Sequence, residues 1–115
     1  MGDREENYFK DWTIVYLKYC DGTGHQGYKK DPIVYKGQNL YFRGQNITIA
    51  QLNSLQQRYQ LFSDATDIVI TGFSAGGLAV FVWTNYIVER ASKNTKLWAM
   101  PDSGIFLDVV NINTK

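Results

Sequence analysis

Ser74 is the residue of this 115-residue sequence whose neighbours best suit it to covalent chemistry, because it stands at the centre of Gly72-Phe73-Ser74-Ala75-Gly76. A G-x-S-x-G string between an apolar strand and a helix describes a sharp turn that holds a serine hydroxyl above the sheet edge as a nucleophile. Small residues at Gly72 and Gly76 let the strand and helix approach without side-chain collision. The Ala75 amide, at the amino end of the helix, is placed to stabilise an oxyanion with help from the helix dipole. The competing reading is a serine that merely caps a helix. A phosphate loop is a poorer reading still, because no lysine follows Gly77.

A serine hydroxyl needs a base to take its proton, usually a histidine oriented by a carboxylate. The sequence has one histidine, His25. It precedes Ser74, whereas the order expected with this motif is Ser, then Asp or Glu, then His. His25 therefore reads, with Asp21 and Gly22, as pocket wall or capped loop. Asp102 follows the serine but has no histidine after it, so it reads as a turn or cap residue.

The surrounding segments supply the elements this turn requires. Residues 1–11 read as a tail and 12–115 as one partial domain. Trp12-Thr13-Ile14-Val15-Tyr16-Leu17 is a β-branched and aromatic run stopped by Asp21-Gly22-Thr23-Gly24, which predicts a buried strand. Residues 20–47 form a Gly-rich connection in which Tyr35 and Leu40-Tyr41-Phe42 leave the secondary structure open. Thr48 with Gln51 matches a capping box, and Leu52, Leu55, Tyr59 and Phe62 share a helical face, predicting a helix over about 48–63. Asp67 to Thr71 predicts a central parallel strand, Ala75 to about Ala91 a largely buried helix, and Lys96 to Met100 a further strand. Alternating strands and helices give an α/β class with a parallel sheet, the 67–71 strand lying between those near 12–19 and 96–100. Residues 20–27, 72–76 and 101–106 then gather at the carboxyl ends of the strands, where such sheets handle ligands.

Composition narrows the function classes. With 44% hydrophobic and 15% aromatic residues the chain is globular in type. A net charge of +1, with mixed-sign clusters at Asp3-Arg4-Glu5-Glu6 and Lys29-Lys30-Asp31, provides no basic stripe for nucleic acid. Cys20 is the single cysteine, and with one histidine no zinc set is expected. No cofactor is called for, and no run reaches the ~20 apolar residues of a membrane span. Met1 is followed by Gly-Asp-Arg-Glu-Glu, which is not an export signal, and Gly2 lacks the myristoylation pattern. Asn46-Ile47-Thr48 is a glycosylation triplet that matters only on the secretory route.

The ordered blocks Tyr19-Cys20-Asp21-Gly22-Thr23-Gly24-His25-x-Gly27, Tyr41-Phe42-Arg43-Gly44, Gly72-Phe73-Ser74-Ala75-Gly76-Gly77-Leu78-Ala79 and Asp102-Ser103-Gly104-x-Phe106-Leu107-Asp108 resemble the pectinacetylesterase family, which includes the Notum esterases. The resemblance implies an α/β-hydrolase-like fold, a secretory-route serine carboxylesterase and a Ser-Asp-His triad. It implies an O-acyl substrate, on a polysaccharide or another acylated molecule, with Ser74 as nucleophile and Ala75 as an oxyanion-hole amide. It also places the family's Gly-Gly-Trp oxyanion segment before residue 1, and its catalytic Asp and His after residue 115. Asp102 belongs to a family block without being the triad acid, and a single cysteine departs from the family's paired cysteines. Two functional expectations result: an ester hydrolase acting through acyl-Ser74, or a non-catalytic remnant that at most binds a partner or ester.

Overall fold

In the computed structural model, which describes residues 7–107, the chain runs β1 (Ile33–Tyr35), β2 (Gln38–Leu40), α1 (Gly44–Tyr59), α2 (Leu61–Asp64), β3 (Asp67–Phe73), α3 (Ala75–Val88) and β4 (Lys96–Asp102). The cluster Asp3-Arg4-Glu5-Glu6, Gly2 and Asp108 lie outside the described residues. β3 and β4 pair in parallel, with Asp67 opposite Lys96 and Phe73 opposite Asp102, and α3 is the crossover between them. This is a mixed helix and strand architecture with a small parallel sheet, compatible with the expected α/β class. The turn regions at the start of the pair are tied as well. Thr95 Oγ1 donates to the Ala65 carbonyl at 2.7 Å and the Lys96 amide to the Thr66 carbonyl at 2.8 Å.

The core lies between the helices. Leu52 of α1, Phe62 of α2 and Trp83 and Ile87 of α3 form a buried cluster, flanked by Leu17, Ile70 and Leu97. Apolar residues at three- and four-residue spacing on α3 account for one buried stripe, Val80, Trp83 and Ile87. The rest of that helix is less covered than its composition suggests, with Phe81 56% exposed and Val82 and Val88 also exposed.

Four local expectations are corrected. Residues 12–17 form no strand: the segment is unpaired, and Ile14 and Tyr16 are 60% and 78% exposed. Leu17 alone in that run packs against the core. β3 therefore does not lie hydrogen-bonded between 12–19 and β4, but has β4 as its one partner among the described residues.

The long helix begins at Gly44 rather than Thr48, and Thr48 is 1% exposed on its inner face. The reason is tertiary. Asp21 accepts the Gly44 amide, and the Gly27 carbonyl accepts the Gln45 amide at 3.0 Å, so orphan donors of the first turn are met by a distant loop. At the other end Gln60 adopts a left-handed conformation and closes α1, and Gln56 Oε1 accepts the Phe62 amide at 2.6 Å. The helix expected to run through residue 63 is thus two pieces, with Tyr59 exposed and Phe62 buried.

The segment that the sequence left open contains the antiparallel hairpin of β1 and β2. Lys36 and Gly37, both at positive φ, form its two-residue turn. A Lys-Gly pair between Ile33-Val34-Tyr35 and Gln38-Asn39-Leu40 was the available signal.

Glycines set the distance between α3 and the sheet, in a different way from that expected. A Cβ on Gly72 would lie 2.4 Å from the Gly76 carbonyl oxygen, so Gly72 is required by the backbone at Gly76. A Cβ on Gly76 itself meets nothing within 4 Å, so its own lack of a side chain is not what lets the elements approach. Gly77 is the second essential contact: its Cβ would fall 2.6 Å from the Asp102 carbonyl and 2.8 Å from Gly104 Cα. Gly77→Ala is expected to destabilise the fold by about 1–3 kcal/mol through backbone displacement. Gly76→Ala gains up to about 1 kcal/mol of helix propensity. Thermal unfolding of the two variants checks this contrast, and equal effects would contradict it.

Asp21 joins the Gly-rich loop to α1. Its carboxylate accepts from the Thr23 hydroxyl at 2.7 Å, the Thr23 amide at 3.2 Å and the Gly44 amide, and Thr23 Oγ1 in turn accepts the Gly27 amide at 2.7 Å. Partial burial acts to raise the Asp21 carboxyl, but the bonds from Thr23 and Gly44 outweigh it and hold it below the ordinary carboxylate value. A carboxylate depressed in the folded state adds stability that is complete above its unfolded pKa of about 3.9 and is lost as pH falls through the folded value. Asp21→Asn is expected to lower stability at neutral pH by about 1 kcal/mol and to flatten the loss on acidification below about pH 4. Urea titrations from neutral to acid pH measure both effects.

Candidate active site

Ser74 occupies the single residue between β3 and α3, with φ 55° and ψ −115°. The strand must end and the helix begin within one residue, and that geometry forces a positive φ on a residue with a Cβ. Such a conformation costs on the order of 1–3 kcal/mol and persists only where the surroundings over-determine it. Here they do. The Ser74 amide donates to the Asp102 carbonyl at 2.9 Å, and the Ser74 carbonyl accepts the Leu78 amide at 3.0 Å. The side chain makes no capping bond to α3, which sets this serine apart from an ordinary helix cap. Its half-buried hydroxyl is free of the helix at the carboxyl end of β3.

Ala75 is the first residue of α3, and its amide has no backbone partner among the described residues. The donor is therefore available beside Ser74 at the positive end of the helix. Asp102 stands next to the elbow, as its place in the chain suggested, but it contributes its backbone. Its carboxylate Oδ1 accepts the Ser103 hydroxyl at 2.9 Å, which fits a turn residue.

The loop containing Asp21, Gly22 and His25 is brought against the first turn of α3. A Cβ on Gly24 would lie 3.3 Å from Leu78 Cδ2 and 3.9 Å from the Ala75 carbonyl, so the loop backbone rests directly behind the elbow. The Gly24 amide donates to Tyr19 Oη at 2.8 Å. His25 has positive φ, and its carbonyl accepts Trp83 Nε1 at 3.0 Å and Thr48 Oγ1 at 3.4 Å. The loop is thus bonded to both α3 and α1. Trp83 and Thr48 are the positioning residues that sequence reasoning missed, because each had an adequate explanation as a core residue or a cap.

The His25 ring stacks on Tyr19, with centroids 4.7 Å apart, and among the described residues it makes no hydrogen bond to Ser74. Burial lowers its pKa, opposed by the nearby Asp21 carboxylate, so the imidazole is neutral at pH 7. The structure brings Ser74, Ala75, Asp102 and the 21–27 loop to one end of the sheet. It does not join His25 and Ser74 as base and nucleophile. No group of three or more His, Cys, Asp or Glu among the described residues is arranged to hold a metal ion, and no helix is long and apolar enough to cross a membrane.

Comparisons with known proteins give the family. The family model described as Pectinacetylesterase matches residues 2–115. Pectin acetylesterase 5 from Arabidopsis thaliana is 34% identical over 104 residues, covering 90% of this chain and 24% of that protein. Pectin acetylesterase 4 from the same plant is 30% identical over 105 residues, covering 90% and 25%. Palmitoleoyl-protein carboxylesterase NOTUM from Schmidtea mediterranea is 30% identical over 104 residues, covering 87% of this chain and 19% of that protein. The chain spans about a quarter or less of the length of these relatives. No solved structure matches it. A serine elbow closed on a Gly-Gly contact, together with a family match over almost the whole sequence, identifies this chain as a member of the pectinacetylesterase family.

Proposed function

We propose that this chain carries the nucleophile of a carboxylic ester hydrolase that removes an acyl group from an O-acyl ester through an acyl-Ser74 intermediate. The observation that carries the proposal is the positive φ of Ser74, held between β3 and α3 without a capping bond. A strained serine whose hydroxyl is not used by its helix has a reason to be strained if the hydroxyl must face a substrate. In the reaction, Ser74 Oγ attacks the ester carbonyl and loses its proton to a base. The carbonyl oxygen becomes an oxyanion beside the Ala75 amide, and as the tetrahedral intermediate collapses the base returns that proton to the departing alcohol. Water then attacks the acyl-serine and releases the acid. Gly72 and Gly77 keep the elbow at its distance from the sheet, and the Asp21–His25 loop forms the wall behind it.

The substrate class follows from relatives named for pectin acetyl groups and for a palmitoleoyl-protein ester. Both are oxygen esters that yield a carboxylic acid, and both are compatible with the same serine chemistry. The chain's one histidine, stacked on Tyr19 and not bonded to Ser74, favours a second reading for these residues taken alone: a non-catalytic piece that retains only the nucleophile half of the site.

With a phosphonate probe and a p-nitrophenyl ester, the 115-residue chain is expected to label slowly at Ser74 and to lack efficient turnover. In a serine protease, losing the base costs on the order of 10⁶ in kcat. Ser74→Ala is expected to abolish labelling. Efficient turnover that disappears in His25→Ala would overturn the account by making His25 the base. A separate stability readout tests the strain: Ser74→Gly is expected to raise the unfolding free energy by about 1 kcal/mol while removing labelling. A loss of stability in Ser74→Gly would contradict the strained-elbow reading.

A further inference from the structure

The carboxyl ends of β3 and β4 carry a group of side chains that the reaction at Ser74 does not use. Phe73, the residue before the nucleophile, is 71% exposed and stands opposite Asp102 in the parallel register. Register partners on adjacent strands project from the same face of a sheet, so the Phe73 ring and the Asp102 carboxylate leave it side by side. Gly72 faces the Gly76 backbone of α3, so this is the face turned away from that helix. Ser103 follows with φ 51°, a left-handed conformation at the point where Gly104 drops to a backbone contact with Gly77. The residue is exposed, and its hydroxyl donates to Asp102 Oδ1 at 2.9 Å.

Hydrogen-bonding capacity is left over here, and it is of one kind. The Ser103 proton is spent on Asp102, which leaves Ser103 Oγ with lone pairs to offer. Among the described residues Asp102 Oδ2 accepts no bond, and no Lys or Arg pairs with the carboxylate. Two acceptors beside an apolar ring call for a ligand with two hydroxyl donors and an apolar C–H face. A pyranose ring with neighbouring hydroxyls has both. The acyl half of an ester has no such donors, and an aliphatic chain laid against an unpaired carboxylate is penalised. An anionic group is disfavoured by the charge of Asp102.

We propose that Phe73, Asp102 and Ser103 form the subsite for the alcohol half of the ester, and that it takes a neutral sugar ring through two adjacent hydroxyls. The C–H face of the sugar covers Phe73, one hydroxyl donates to Asp102 Oδ2 and its neighbour donates to Ser103 Oγ. Ser74 is the residue after Phe73, about 3.8 Å along the chain, and its amide is bonded to the Asp102 carbonyl, so a sugar seated here is within reach of the nucleophile. The inference rests on the acyl-Ser74 reading and adds which alcohol is released. That alcohol is a saccharide hydroxyl with a free hydroxyl beside it, rather than a lone side-chain hydroxyl of a protein, which has no second donor to offer. The three side chains set specificity and take no part in bond making.

Titration of the chain with a neutral methyl pyranoside, followed by amide NMR, is expected to shift residues 73 and 102–104 together with a Kd on the order of 10 mM. At about that concentration the same sugar is expected to halve the rate of phosphonate labelling at Ser74. Cyclohexanol, with a six-membered ring and one hydroxyl, and the corresponding methyl uronoside are each expected to bind about tenfold more weakly. Asp102→Asn keeps an acceptor for the Ser103 hydroxyl but replaces the second acceptor with an amide donor, and Ser103→Ala removes the other acceptor. Each is expected to weaken the pyranoside about tenfold. The comparison with cyclohexanol within each variant separates lost recognition from lost folding. Absence of sugar-dependent shifts at 73 and 102–104 overturns the proposal, as does equal binding of cyclohexanol or unchanged sugar affinity in both variants. Shifts with the sugar, but no labelling of Ser74 in the sugar-free chain, would instead remove the acyl-Ser74 reading and leave the saccharide site standing.

Discussion

The described structure depends on backbone meeting backbone at the start of α3. Gly72 faces the Gly76 carbonyl and Gly77 faces Gly104, at distances where a single methyl group would collide. The contact puts the first turn of the helix against the ends of both strands, so that the Ser74 amide reaches the Asp102 carbonyl and continues the β3–β4 ladder by one bond. Once the helix is that close, the chain has one residue in which to reverse direction, and the strain of Ser74 is the geometric consequence. The uncapped, half-buried Ser74 side chain and the free Ala75 donor follow from the same constraint. Stability and chemistry meet here in one feature, the missing side chains at the helix start.

A second layer of order is built on the back of α3. Trp83 is buried in the core through its ring, but its indole N–H still needs an acceptor, and the His25 carbonyl supplies it. Thr48, buried on α1, donates to the same oxygen. One loop carbonyl therefore satisfies two buried donors from two helices. Asp21 completes the tie by accepting from the first turn of α1, where a negative charge is favoured by the helix dipole. The loop is thus held by its backbone and its carboxylate, while the imidazole of His25 is occupied in stacking on Tyr19.

Apolar surface is distributed unevenly around this frame. The core joins α1, α2 and one stripe of α3, whereas Phe81, Val82 and Val88 on α3 and Trp98 and Met100 on β4 remain exposed. Helices apolar on every side are ordinarily covered on every side, and strands of a parallel sheet are ordinarily buried on both faces. These faces of α3 and β4 are left uncovered among the described residues.

The sequence by itself determined the elements whose signals are local. Ile68-Val69-Ile70 and the β-branched run specified β3, the unbroken apolar stretch after Ser74 specified α3, and the small residues around Ser74 specified the turn between them. Family membership was also readable, because ordered blocks of Gly, Asp and Ser keep their spacing along the chain. Only the tertiary structure decided where α1 begins, because its cap is Asp21, more than twenty residues earlier, and no local pattern records a donor met from a distance. It also decided that Gly77 rather than Gly76 is the glycine facing the sheet, since a motif fixes spacing but not which face of the helix meets Gly104. The state of residues 12–17 was decided the same way: strand propensity makes a segment ready to pair, but a strand exists only when a neighbouring backbone lies within hydrogen-bonding reach.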